Sequence, residues 1–287
     1  MRIANVEGRA ALVTDSGYID VAKASGERFG PDPIAVLDDW VAFVDWSAQA
    51  LPRLAAAAEP LGQRTVGAPV PMPRQVFGVA LNYRDHAAEA GLPIPTSTLI
   101  FTKFPTCIVG PYEEVVLPSD NVDYEIELVA VIGKRAERVS EADAWDYVAG
   151  VTVGQDLSER VVQKTGKPPQ FSMGKSFPGF GPTGPALVTV DELPDRDDLA
   201  LGCSIDGGET LQDGRTKDLV FNVAQLVSGI SANCPLLPGD LIFTGTPAGV
   251  GGSRKPTPRF LEPGEVLVSS VEGVGEMRNK LVAGTPA

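Results

Sequence analysis

From residue 76 onward the sequence is a succession of short apolar runs broken by glycine and proline, and this pattern limits the fold more than any single motif. Residues 76–81, 98–104, 115–117, 124–132, 148–154, 186–190, 199–205, 241–244 and 266–271 are rich in β-branched and aromatic side chains, the composition of strands. Among them only residues 218–233 carry a helical stripe, formed by Leu219, Val223, Leu226, Val227 and Ile230. Parallel βαβ folds need a helix between successive strands. We therefore expect an α+β, β-rich protein whose mixed, largely antiparallel sheet is rolled on itself, and neither a Rossmann fold nor a TIM barrel.

The first 70 residues read differently. Residues 9–22 alternate about Asp15-Ser16-Gly17, a turn signal, and predict a hairpin. Ile34, Leu37, Val41 and Val44 recur at helical spacing across residues 33–46, and an alanine-rich stretch follows over 48–59. Pro69, Pro71 and Pro73 then forbid regular pairing over residues 66–75. The expectation is a small N-terminal αβ domain over residues 1–70 and a larger domain over 71–287. With 43% hydrophobic residues in 287, the chain is long enough to bury a core of that size.

Charge and motif content exclude several functions. The 24 Lys and Arg against 37 Asp and Glu give a net charge of −13, a field that repels phosphate backbones and anionic lipid heads. No nucleic-acid or membrane partner is expected. Apolar runs fall short of the roughly 18 residues a membrane helix needs, and Arg2, Glu7 and Arg9 interrupt the start of the chain, so the expected location is cytoplasmic. Cys107, Cys203 and Cys234 lack the spacing of a disulfide framework or a zinc site. His86 is the only histidine, which rules out three-histidine metal sites and, without a GxSxG serine, makes acyl-enzyme chemistry a poor fit. Residues 179–184 have the letters of GxGxxG, but Pro182 and Pro185 block the helix a dinucleotide site requires. Residues 244–252 are glycine-rich without the GK[ST] ending of a phosphate loop.

Acidic residues offer more. Asp123, Glu125 and Glu127 lead into the apolar run 128–132 at alternate positions, so an unbroken strand would project three carboxylates from one face. Two such charges about 4 Å apart repel by roughly 4 kcal/mol at an effective dielectric of 20. A hard divalent cation would relieve that repulsion; a strand end open to solvent would also account for it. Asp156 follows the apolar run 148–154, where a side chain can leave the sheet edge for a pocket. In a helical turn, His86 and Glu89 would be i, i+3 neighbours, close enough for the carboxylate to orient the imidazole.

Taken in order, these pieces resemble the fumarylacetoacetate hydrolase family. The likeness runs over residues 76–280 and rests on Asn82-Tyr-Arg-Asp-His86, Asp123-Tyr-Glu-Ile-Glu127 with its apolar continuation, Gly154-Gln-Asp-Leu-Ser-Glu-Arg160 with Gln163, Gly174-Lys-Ser176, residues 237–251 around Thr244-Gly-Thr246, and residues 273–279. The resemblance implies a mixed β-roll and one Mg²⁺ or Mn²⁺ per subunit held by Glu125, Glu127 and Asp156. It assigns His86 and Glu89 to a catalytic dyad, Lys175 to a catalytic contact beside the metal, and Gln163 and Thr246 to the substrate; Asp123 stays outside the ligand set. Arg160 and Lys103 are further candidate substrate cations, since three carboxylates around a divalent ion leave a formal charge of −1.

Family members act on 2-oxo acids and β-dicarbonyls. The resemblance thus implies a metal-dependent hydrolase cleaving a carbon–carbon bond in an acylpyruvate-like substrate, with an isomerase, tautomerase or decarboxylase of a 2-oxo acid as the alternative and a non-catalytic descendant as a third reading. It also implies a homodimer with a small anionic 2-oxo acid as partner. Two departures bear on substrate choice: Val161 and Val162 stand where many members have a carboxylate, and Phe177-Pro178-Gly179-Phe180 replaces a polar pair.

Overall fold

The computed structural model describes residues 1–284. Strands β1 (Arg2–Val6), β2 (Arg9–Thr14) and β3 (Gly17–Asp20) form an antiparallel meander, with the second turn at the predicted Asp15-Ser16. Asp20 caps the short helix α1 (Val21–Ser25) by accepting the Lys23 N–H, and Gly26 ends it at a left-handed φ of 63°. The helix expected over residues 33–46 is divided. A single turn, α2 (Ala35–Asp38), stops at Asp39, whose φ of −131° is not helical, and the long helix α3 (Trp40–Leu54) runs on into the alanine-rich stretch. Phe43 on α3 is fully buried, with its ring 5.3 Å from Phe29 and 5.8 Å from both Trp40 and Trp46. Next, β4 (Val66–Gly67) pairs with β1, and the proline-rich residues after it make no regular element.

Further along come β5 (Val76–Ala80), α4 (Arg84–Glu89), β6 (Leu99–Thr102), β7 (Ile108–Val109), β8 (Val115–Leu117), β9 (Val122–Asp123), β10 (Ile126–Ile132), β11 (Val148–Gln155), β12 (Ser158–Glu159), α5 (Arg160–Gln163) and β13 (Gly181–Val188). The last third adds β14 (Ala200–Ile205), β15 (Thr210–Arg215), α6 (Val223–Ser231), β16 (Leu241–Phe243), β17 (Val266–Val271) and β18 (Gly275–Ala283). Strand β13 begins at Gly181 and not at residue 186, so the GxGxxG look-alike is largely strand, paired in parallel with β7. Helix α6 is shorter than expected. It starts at Asn222, whose side chain and that of Gln225 cap each other's backbone N–H.

The large sheet has the order β3-β2-β1-β13-β11-β10-β16-β5-β6, with β4 on β1 and β7 on β13. Because β1 pairs antiparallel with β13, the meander of the first 70 residues extends the same sheet that carries the later strands. A second sheet, β15-β14-β17-β18-β8, packs across its middle, β14 and β17 against β10 and β11, and β18 against β13. Among the described residues neither sheet closes into a barrel, and no helix is long and apolar enough to cross a membrane. Strand β10 lies between two neighbours and beneath the second sheet, and all seven of its residues are buried. This explains why a sequence opening on glutamates continues without a polar residue.

Candidate metal centre and active site

Strand direction brings distant residues together at one end of the large sheet. Strands β5 and β16 run parallel, β10 runs antiparallel to β16, and β11 antiparallel to β10. The C-terminal ends of β5, β16 and β11 therefore meet the N-terminal end of β10. His86 follows β5, Thr246 follows β16, Asp156 follows β11, and Glu125 and Glu127 open β10.

The even spacing of the acids does not put all three on one strand face. The ladder is interrupted at Tyr124 and Glu125, between β9 and β10. Two glutamines hold this break open: the Glu125 N–H donates to Gln155 Oε1 at 2.9 Å and the Ile126 N–H to Gln212 Oε1 at 3.0 Å. Asp123 is consequently held by a different set of backbone partners from Glu125, although Arg160 touches both. Its carboxylate accepts the Gly251 and Gly252 N–H groups at 2.7 and 2.8 Å and pairs with Arg160. A Cβ on Gly251 would lie 1.8 Å from the Arg259 carbonyl, so only glycine lets that loop approach.

Glu125, Glu127 and Asp156 are all buried and offer carboxylate oxygens within 4.8 Å of one another. Lys175 Nζ donates to Glu125 Oε2 at 2.7 Å, Asp156 Oδ2 at 2.6 Å and Ser158 Oγ at 2.9 Å. Burial disfavours the Glu125 charge, but Lys175 and Arg160 more than offset it and bring its pKa down to about 2. Glu127 is the opposite case. Burial, then the charges of Asp156 and Glu125, push its pKa well above the ordinary glutamate value. It accepts one hydrogen bond, from the Gly245 N–H at 2.7 Å, and no Lys, Arg or His nitrogen among the described residues lies within salt-bridge distance of it. An all-oxygen set with one acid uncompensated fits a hard divalent ion. Gly245 reaches Glu127 from a left-handed φ of 101°, where a Cβ would come within 2.7 Å of Asn82.

Lys103 is placed differently from its sequence reading as a substrate cation. It is 1% exposed, and its ammonium donates to Asp156 Oδ1 at 2.7 Å, to Phe180 O at 3.1 Å and to the Lys175 carbonyl. Lying beneath the site, it fixes Asp156 and the backbone of Lys175 and does not face substrate. Arg160 donates through Nε to Asp123 at 2.8 Å and through Nη2 to Asp123 and Glu125 at 2.7 and 2.8 Å, and through Nη1 to the side-chain oxygen Oε1 of Gln163 at 2.9 Å. Gln163 itself lines the cavity, and only its side-chain oxygen is engaged by Arg160. Thr246 donates to the Ile126 carbonyl and accepts from Gln212, each at 2.8 Å, so its hydroxyl also braces the Glu125–Glu127 segment.

His86 and Glu89 form the predicted pair on α4, with Nδ1 3.1 Å from Glu89 Oε2. Glu89 also accepts the Gly249 N–H at 2.9 Å, which ties the helix to the loop after β16. A cavity of about 400 Å³ joins these parts; Glu125, Glu127, Lys175, Arg160, Gln163, Thr246 and His86 all line it. Leu92, Phe101, Phe171 and Val250 supply apolar wall. The two departures noted in the sequence lie elsewhere: Val161 is 61% exposed and outside the cavity, while Phe177 packs on buried Phe180 with ring centres 5.1 Å apart. Gln155 and Gly245 lie inside two of the quoted motifs and Gln212 in none, but no local pattern marks any of the three as a site residue, because each acts on a backbone or carboxylate far away in sequence.

The fumarylacetoacetate (FAA) hydrolase C-terminal family model matches residues 75–282. Human mitochondrial oxaloacetate tautomerase FAHD2A is 44% identical over 225 residues, covering 78% of this chain and 71% of the relative. A crystal structure from Mycobacterium smegmatis, solved under a provisional HpcE name, superposes with a TM-score of 0.92 at 51% identity over 99% of this chain and 100% of that one. Maleylpyruvate hydrolase from Sphingobium sp. SYK-6, crystallised with manganese(II) and pyruvate, superposes with a TM-score of 0.81 at 27% identity over 99% of this chain and 100% of that one.

Proposed function

The chain belongs to the fumarylacetoacetate hydrolase family, and on that premise we propose that it is a divalent-metal-dependent hydrolase cleaving a carbon–carbon bond in an acylpyruvate-like or β-dicarbonyl 2-oxo acid. The observation that carries the reading is one cavity lined by Glu125, Glu127 and His86, with Asp156 buried within 4.8 Å of the two glutamates and Glu89 paired to His86 behind the wall. Glu125, Glu127 and Asp156 would hold Mg²⁺ or Mn²⁺, and the manganese bound by maleylpyruvate hydrolase supports that choice. When bound, the ion supplies Lewis-acid stabilisation of an enolate formed from the 2-oxo acid.

The rest is done by side chains. Nδ1 of His86 is engaged by Glu89, which orients the ring and leaves Nε2 to take a proton from water; the resulting hydroxide adds to the distal carbonyl. The bond to the pyruvyl carbon then breaks, the acyl part departs as a carboxylic acid, and the enolate left behind takes up a proton. Lys175 offsets negative charge beside the acids, while the Gln163 amide and Thr246 orient the substrate. The apolar wall of Leu92, Phe101 and Phe171 limits stray water around the reacting carbons.

A second reading follows from the 44% identity to an oxaloacetate tautomerase: the same groups would move a proton between carbon and oxygen without adding water, or lose CO₂ as a decarboxylase. Incubating the Mg²⁺- or Mn²⁺-loaded protein with acetylpyruvate and with oxaloacetate separates these. Acetate and pyruvate from the first support hydrolysis; enol–keto exchange of the second with no cleavage of either replaces it with tautomerisation. Metal-independent inertness toward all such acids would favour a non-catalytic descendant. We also propose a homodimer, supported by edge strand β6, whose Leu99 and Ile100 are 48% and 39% exposed. Light scattering should then give twice the chain mass at micromolar concentration, and a monomer mass removes the proposal.

A further inference from the structure

The cations that line the cavity are not equivalent. Lys175 is held by Glu125, Asp156 and Ser158, and Arg160 by Asp123, Glu125 and Gln163. Lys164, the residue after α5, also lines the cavity, yet among the described residues it has no carboxylate in salt-bridge range and is exposed. An exposed residue that lines the cavity belongs to its mouth, and Lys164 stands there one residue beyond Gln163, which is 6% exposed. Lysine at such a position keeps three donors and a flexible stem, suited to a carboxylate that stays partly hydrated.

Charge balance says what such a group would receive. Within the buried ionic cluster, leaving Glu89 outside it against His86, Asp123, Glu125, Glu127 and Asp156 contribute four negative charges, and Lys103, Lys175 and Arg160 three positive ones. Adding a divalent ion leaves +1, which the single carboxylate of a 2-oxo acid cancels. A substrate with a second carboxylate therefore needs one more cation, placed beyond the reacting carbons, where Leu92, Phe101, Phe171 and Val250 offer no charge. We propose that Lys164 is a specificity-determining residue that receives the distal carboxylate of a dicarboxylic 2-oxo substrate. This inference rests on the 2-oxo acid reading given above.

Its test uses matched acids differing only in the far end. The metal-loaded wild type, Lys164→Met and Lys164→Arg are assayed with acetylpyruvate, a monocarboxylate, and maleylpyruvate, a dicarboxylate. In parallel, calorimetry follows binding of 2-oxobutyrate and 2-oxoglutarate, which need not react. Lys164→Met should raise KM for the dicarboxylate about tenfold and weaken 2-oxoglutarate to a similar degree. The dicarboxylate kcat and both monocarboxylate constants should hold, and Lys164→Arg should restore most of the loss. Added salt should weaken the dicarboxylate more than the monocarboxylate in the wild type and equally in Lys164→Met. Equal effects of Lys164→Met on both acids, or none on either, overturn the proposal. If the wild type turns over neither substrate, the hydrolase reading fails by itself, and the 2-oxobutyrate and 2-oxoglutarate affinities still decide on Lys164: an unchanged ratio in Lys164→Met refutes it.

Discussion

Around α3, Phe29, Trp40, Phe43 and Trp46 pack ring against ring, whereas at the ends of β10 and β11 the groups packed together are four buried carboxylates, two buried lysines and a partly buried arginine. Both regions are shielded from water, yet shielding acts on them with opposite sign. Removing aromatic surface from water favours folding by roughly 25 cal/mol per Å². Withdrawing charges from water costs several kcal/mol per ion, which paired geometry only partly returns. The aromatic cluster should therefore be tuned for stability and indifferent to chemistry. The ionic cluster should carry the chemistry at some expense in stability, with Glu127, which has no partner cation among the described residues, its least favourable member.

Glu127→Gln tests this contrast hardest. It should lower turnover at least about 10²- to 10³-fold and abolish metal binding by calorimetry. In chelator-treated protein its melting temperature should equal or exceed the wild type, because the amide keeps an acceptor for Gly245 and removes a charge crowded by Asp156 and Glu125. A variant that loses stability along with activity would erase the distinction between the regions. His86→Ala comes next, with a loss of roughly 10²-fold or more from the missing general base while metal affinity holds; retention of near-normal hydrolysis would make the His86–Glu89 pair structural. Phe43→Ala should show the converse pattern, about 3–5 kcal/mol lost in urea unfolding with kcat/KM close to wild type.

The smallest expected effect concerns the N-terminal meander. Burial acts against the Asp20 charge, but the Arg9 hydrogen bond and the Lys23 N–H prevail and lower its pKa. A carboxyl depressed in the folded state adds stability above its ordinary value near 4 and loses it as pH falls through the folded value. Asp20→Asn should thus cost about 1 kcal/mol at pH 7, and the gap from wild type should shrink toward pH 3 in paired unfolding curves. A gap that is constant with pH would mean that the side chain's shape, and not its charge, does the capping.

What could be read from sequence follows the same division. Strand β10 was visible because burial on both sides requires an unbroken apolar run, and the His86–Glu89 pair because helical spacing is local. Strands β15 and β18 were missed, since they carry Gln212, Asp213, Arg278 and Lys280 and alternate only partly with buried positions such as Leu211, Met277 and Leu281. The break at Tyr124–Glu125 was invisible for a different reason: its cause lies 30 and 86 residues away, in Gln155 and Gln212. Lys103 was read as a substrate cation because no local pattern records that Asp156 and two carbonyls surround it. Domain-scale reading separated the first 70 residues by their prolines, and nothing in that stretch announces that β1 will pair with β13.

The position of β16 has a consequence for synthesis. Its three residues fill the gap between β5 and β10, three strands in from the β6 edge of the large sheet, but they leave the ribosome only after the 240 residues before them. Until then both neighbours present an unpaired hydrogen-bonding edge flanked by apolar side chains, a state open to mispairing with other nascent chains. The site is completed at the same late moment, because Gly245 and Thr246 arrive with β16. A chain truncated before residue 241 should therefore be a substrate for holdase chaperones and proteases, and no shorter translation product should retain a working fraction of the enzyme.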